Sequence, residues 1–125
     1  MTVKKNNDTF VATQDNHSNH FAAIDLGSNS FHLIVAREQG GCLQIVHRQK
    51  QQVKLAAGLD SDNNLSQQSM HNAMSCLTEF THAIASLPTS SVRIVATYAL
   101  RKAKNSADFI AQAAKVIPYP IEVLS

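Results

Sequence analysis

The run Phe21-Ala22-Ala23-Ile24-Asp25-Leu26, followed by Gly27-Ser28-Asn29-Ser30 and then Phe31-His32-Leu33-Ile34-Val35-Ala36, leaves the chain little choice of local fold. Two apolar runs flank four small polar residues. Ala22 to Leu26 therefore reads as a buried strand, Phe31 to Ala36 as a second, and the residues between them as a tight hairpin. An apolar run that ends in a carboxylate, a glycine and three small hydrogen-bonding side chains also reads as a phosphate-binding turn. Gly27 is expected to adopt φ > 0 and, lacking Cβ, to let a ligand approach the main chain. Successive N–H groups with the hydroxyls of Ser28 and Ser30 can converge on an anion, and Asp25 can hold a divalent cation directly or through water. The competing reading is an ordinary hairpin turn, in which Gly, Ser and Asn are common.

The pattern continues regularly. Arg37-Glu38-Gln39-Gly40-Gly41 ends the second strand in a glycine pair, and Cys42 to about Leu55 reads as a long third strand with Leu43, Ile45, Val53 and Leu55 on one alternating face. In the loop Leu59 to Asn64, Asp60, Asp62 and Asn64 imitate the first ligands of a calcium loop. Leu65 stands where glycine is required and His71 where a glutamate is required, which rejects an EF-hand. Ser66 can cap a helix whose residues Met70, Ala73, Met74, Leu77, Phe80 and Ile84 form a core-facing stripe, with His71, Glu79 and His82 on the solvated side.

Val92 to Ala96 reads as a short buried strand, Asn105 to Ile117 as a second helix with Asn105 and Asp108 at capping spacing, and Ile121 to Leu124 as a closing strand. The result is a β-β-β-α-β-α-β order, an α/β fold with a mixed sheet whose last three strands run parallel. Ligands of such sheets sit at the carboxyl ends of parallel strands, where Asp25, Thr97 and Ser125 fall. Thr97-Tyr98-Ala99-Leu100-Arg101 leaves the fourth strand at the same edge as the first turn, so Arg101, with Thr97, can clamp phosphate oxygens. The plainer alternative is a solvated helix start, with Arg101, Lys102 and Lys104 serving only as surface charge.

Residues 1–20 carry scattered apolar positions without a period and read as a flexible polar tail ahead of one domain over residues 21–125. His17 and His20 lack partner ligands for a zinc site. A formal charge of +2 is too mild to argue for nucleic acid, and no run is apolar enough for a membrane span or signal peptide. A cytoplasmic protein is expected. Cys42 and Cys76 read as buried thiols and not as a disulfide.

Ala23-Ile24-Asp25-Leu26-Gly27-Ser28-Asn29-Ser30-Phe31-His32, Leu55-Ala56-Ala57-Gly58-Leu59, Thr97-Tyr98-Ala99-Leu100-Arg101 with Ala103 and Asn105, and Pro120-Ile121-Glu122-Val123-Leu124-Ser125 together resemble the start of the exopolyphosphatase/guanosine pentaphosphate phosphatase family. The resemblance covers nearly all of residues 21–125. It implies a ribonuclease-H-like domain of the actin/Hsp70/sugar-kinase superfamily. It further implies Mg²⁺-dependent hydrolysis of a terminal phosphoanhydride bond, in inorganic polyphosphate or at the 5′ end of guanosine pentaphosphate, by full-length relatives that are homodimeric. On this analogy Asp25 serves the metal, Gly27, Ser28, Asn29 and Ser30 form the first phosphate loop, and Arg101 with Thr97 binds the phosphoryl group. The family's catalytic glutamate and second phosphate loop are expected beyond Ser125, so the chain reads as a first domain that turns over little alone. Glu122 offers itself as a substitute base, but within the alternating Ile121-Glu122-Val123 run it reads as a structural strand position. A non-catalytic phosphate-binding module and an actin-like or sugar-kinase ATPase domain are the alternatives. The Ser-Asn-Ser-Phe-His wording of the turn speaks against the ATPase.

Overall fold

The computed structural model describes residues 4–6, 9–11 and 19–125. Most of the polar tail, including His17, lies outside the described residues. Strands β1 (Lys4–Asn6) and β2 (Thr9–Val11) pair antiparallel in a sheet of their own, a pairing the polar composition did not predict. The main sheet contains β3 (His20–Leu26), β4 (Ser30–Gln39), β5 (Cys42–Gln52), β6 (Val92–Ala96) and β7 (Ile121–Val123), in the spatial order β5-β4-β3-β6-β7. β3, β4 and β5 form an antiparallel meander, and β6 and β7 add in parallel on the other side of β3. With helices α1 (Gln67–Ile84), α2 (Tyr98–Lys102) and α3 (Ser106–Ala113), the order is the one expected, with the solvated helix start around Arg101 forming a short helix of its own, α2. The last three strands share a direction, but β6 docks on β3 and not on β5. β3 thereby becomes the central strand, and glutamine-rich β5 stays at an edge.

One face of the sheet is sealed. Ile24, Leu26, Phe31, Leu33, Val35, Ile94 and Ala96 are at most 1% exposed and share one cluster with Met70, Leu77, Phe80 and Ile84 of α1 and Phe109 and Ala113 of α3. Ser66 caps α1 as expected, its Oγ accepting the Ser69 N–H at 3.1 Å, while His71, Glu79 and His82 are solvated. Behind α1, the buried Tyr119 hydroxyl lies 3.0 Å from the Ile84 carbonyl and 2.7 Å from that of Leu87, pinning the helix end to the approach of β7. The opposite face is open: Ala23, Asp25, His32 and Arg93 are exposed, and Ile34 and Val95 are half-buried. No helix among the described residues is long and apolar enough to cross a membrane.

Several expectations are corrected. β3 starts at His20, which is fully buried, because the two-residue alternation of Ala22, Ile24 and Leu26 extends one step further back than the apolar run shows. Leu43 and Ile45 do not share a face with Val53 and Leu55. Val35 pairs with His47 and Ala36 with Ile45, so Val46 is the extra residue of a β-bulge, which moves Leu43 and Ile45 to the other side and leaves them 69% and 48% exposed. The third strand ends at Gln52, since Lys54 turns left-handed at φ 54° and Ala56–Gly58 form a 3-10 turn. Cys42 is exposed next to the glycine turn, whereas Cys76 is buried; both are free thiols.

The second predicted helix is also shorter than the periodicity suggested, spanning Ser106–Ala113. Asn105 does not cap it. Its side chain instead bonds both backbone groups of Leu65, accepting at 2.9 Å and donating at 3.0 Å, and so ties the 59–65 loop to the helical layer.

Candidate phosphate site

The four-residue turn between β3 and β4 is closed by the Gly27 N–H donating to the Ser30 carbonyl at 3.1 Å. Glycine is required there for a reason other than the one expected. Gly27 is not among the positive-φ residues, which in the glycines are Gly40 and Gly41; instead, a Cβ at Gly27 would lie 2.8 Å from the Ser30 carbonyl oxygen. The turn's own carbonyls face the segment after β5. Ser28 O accepts from the Ala56 N–H at 3.0 Å, and Asn29 O accepts from Val53 and Lys54 at 3.0 and 2.8 Å. Among the described residues, the N–H groups of Ser28 and Asn29 and the side chains of Ser28, Asn29 and Ser30 have no hydrogen-bond partner. The acceptors are thus tied back and the donors left available, the polarity that an anion-binding nest needs.

Register brings the second strand end beside the first. Leu26 pairs with Ala96 and Ala96 with Val123, so Gly27, Thr97 and Leu124 leave the sheet side by side, adjacent strands being ~4.8 Å apart. Thr97 is half-buried, and its hydroxyl makes no capping bond to α2. Arg101 lies in the last turn of α2 with an exposed side chain, and its Nη1 donates to the Leu124 carbonyl at 3.1 Å. The remaining donors of its planar fork have no partner among the described residues. Lys102 lies 6.0 Å from the centre of the Tyr98 ring, one turn back on the helix surface. The helix-start reading of this segment and the phosphate reading of Arg101 are therefore compatible.

Asp25 stands one residue before the end of β3 on the open face, opposite His32 on β4 and Val95 on β6. It lines a groove of about 350 Å³ with Ala23, His32, Ile34, Arg93 and Leu124. Its carboxylate has no hydrogen bond or ion pair among the described residues, which include no cluster of three metal-ligating side chains. One such carboxylate matches the way Mg²⁺ is held, through one or two carboxylates with phosphate oxygens and waters and not by an all-protein cage. His32 was not singled out from sequence. The length of the turn could have identified it, because closing a hairpin over residues 27–30 sets residue 25 opposite residue 32.

Two carboxylates are committed elsewhere. Glu122 on β7 pairs with Arg93 on β6 at 3.1 Å, in keeping with a structural position. Asp60 Oδ1 accepts the N–H groups of Asp62 and Asn64 at 2.8 and 2.9 Å, so the calcium-like loop is a side-chain-stabilised turn. Burial, with Glu79 adding a smaller repulsive contribution, pushes the Cys76 thiol up to about 12, and burial raises the Tyr119 phenol as well. Both belong to the sealed layer and not to the site.

Comparison with known proteins places the chain. A curated Haemophilus influenzae protein, named as a candidate exopolyphosphatase, is 50% identical over 104 residues, 83% of this chain and 32% of the relative. The chain thus spans about a third of that relative's length. A solved structure of the Aquifex aeolicus member of the Ppx/GppA family superposes with a TM-score of 0.78 at 26% identity, over 85% of this chain and 35% of that one. An exopolyphosphatase from Cytophaga hutchinsonii shares the fold at TM-score 0.78 and 22% identity, over 84% of this chain and 34% of that one. The α/β fold is therefore the actin-like ATPase fold of these proteins. Residues 34–125 match the Ppx/GppA phosphatase family model, beginning within β4 after the Gly27–Ser30 turn, and the chain belongs to that family.

Proposed function

We propose that this domain supplies the first phosphate grip of a phosphoanhydride hydrolase, with the terminal phosphoryl group of inorganic polyphosphate as its ligand. The observation that carries the reading is the polarity of the Gly27–Ser30 turn: its carbonyls at Ser28 and Asn29 are bonded to residues 53–56, while its free N–H groups and hydroxyls remain available at the strand end next to that of β6, from which α2 carries Arg101. Ser28, Asn29 and Ser30 donate to the phosphate oxygens, Thr97 adds a hydroxyl, and Arg101 contributes a fork suited to two oxygens at once. Asp25 would hold Mg²⁺, which when bound neutralises phosphate charge and favours a good leaving group. Glu122 is engaged with Arg93, and this reading gives it no part in activating water.

Titration of Mg-polyphosphate into the wild-type chain, Asp25→Ala and Arg101→Ala tests this. Each variant is expected to weaken binding roughly tenfold or more, since each loses a charge-assisted contact. Equal affinity in all three would remove the site. Guanosine pentaphosphate carries the same terminal phosphoanhydride, so the same titration with it ranks the two substrates.

A further inference from the structure

Two residues other than glycine have positive φ in the described chain, Asn63 at 62° and Lys54 at 54°. Asn63 needs no special account: asparagine tolerates the left-handed region, and the turn around it is held by Asp60. Lysine has no such local compensation, and strained residues of this kind concentrate at ligand sites. Lys54 is fixed on both sides, by buried Val53 and fully buried Leu55, and its N–H donates to Asn29 O at 2.8 Å, inside the phosphate turn. Its side chain is nonetheless exposed and has no ion pair or hydrogen bond among the described residues. A cation is thus anchored by its own backbone to the loop whose donors stand open.

We infer that Lys54 is a further binding residue of this site, its ammonium taking a phosphate oxygen of a polyphosphate chain seated on the Gly27–Ser30 turn. The inference rests on the phosphate reading proposed above. It adds a contact on the β5 side of the turn, across from Arg101 on the β6 side, so that the anion is held from both flanks. From sequence, Lys54 is one of the basic residues, with Arg48, Lys50, Lys102 and Lys104, that read either as tracking a long polyanion or as surface charge; its backbone tie to the turn, 24 positions from Ser30, sets it apart.

The experiment is calorimetric titration of tripolyphosphate with Mg²⁺ into the 125-residue chain and its variants Lys54→Gln, Lys54→Arg, Lys54→Gly and Arg101→Ala. Lys54→Gln and Lys54→Gly are expected to weaken binding about tenfold and to flatten its salt dependence, while Lys54→Arg stays within about twofold of wild type. Lys54→Gly also removes the backbone strain, so a purely conformational role predicts unchanged or tighter binding in that variant. Wild-type affinity in Lys54→Gln and Lys54→Gly alongside a loss in Arg101→Ala would overturn the assignment of Lys54 and leave the site standing. Wild-type affinity in Arg101→Ala as well would remove the phosphate reading itself.

Discussion

The two faces of the main sheet alternate residue by residue along β3, and they behave as different materials. Ala22, Ile24 and Leu26 point into a layer where Leu33, Phe80 and Phe109 are fully buried, whereas Phe21, Ala23 and Asp25, one position away in each case, stand in the open. The sealed face specifies the fold. Asp25 on the open face and the turn at the sheet's upper edge carry the groups suited to chemistry, which need solvent and a ligand more than they need packing. Substitutions one residue apart should therefore separate into losses of stability and losses of binding.

The contrast is tested most strongly by Phe80→Ala against Ile34→Ala. Phe80 is fully buried against the sheet, so its truncation should cost about 3–5 kcal/mol in urea unfolding, from lost transfer energy plus a cavity. Ile34 is half-buried on the open face and should cost about 1 kcal/mol or less. Equal costs would mean that the open face is packed in solution and the distinction fails. Next in size is Asn105→Ala, which deletes both bonds to the Leu65 backbone and leaves part-buried groups unpaired; about 1–3 kcal/mol is expected. A loss below ~0.5 kcal/mol would show that the 59–65 loop does not depend on this staple.

A smaller, pH-dependent difference follows from the thiols. Cys76 is held protonated in the sealed layer with its pKa pushed from 9.0 up to about 12, so its contribution to stability is whole below pH 9 and is lost as pH climbs toward 12. Between pH 9 and 10 the loss is on the order of 1 kcal/mol, and Tyr119, also raised by burial, acts in the same direction. At pH 8 a thiol reagent should modify exposed Cys42 at once and Cys76 only through unfolding. Two equally fast thiols would contradict the sealed layer.

Much of this was legible in the chain. Periodicity of two and of 3.6 gave β3, β4 and α1, because each buries one face and its pattern records that, while the edge strands β5 and β7 bury no residue and were marked by their turns and β-branched runs. The Ser66 cap and the Asp25 to Ser30 turn were equally readable, since local chemistry carries them. Features set by tertiary contacts were not. The Val46 bulge moves Leu43 and Ile45 to the other face without any mark in composition. Asn105 sits where a cap belongs yet serves Leu65 at a distance of 40 residues. The Gly27 requirement comes from a carbonyl three residues ahead, and the helical turn around Arg101 is too short for any period. In the candidate site, the sequence already puts Asp25 and Thr97 at neighbouring strand ends, but the tying of the turn's carbonyls to residues 53–56 left no mark in it.

The smallest effect separates the open face from the site most sharply. Glu122 and Arg93 form an ion pair on that face at 3.1 Å, with side chains 55% and 69% exposed. Water screens such a pair, so Glu122→Gln should change stability by about 0.5 kcal/mol or less. It should also leave Mg-polyphosphate binding unchanged, because Glu122, though in the same row as Asp25 through Val95, stands two strands away, roughly 10 Å, and is paired with Arg93. A tenfold drop in affinity at unchanged stability would place Glu122 in contact with the ligand or its metal and extend the site across the sheet from Asp25 to β7. Invariance on both counts, set beside a loss in Asp25→Ala, would confine the grip to the upper edge, where three strand ends meet and the turn's donors stand open.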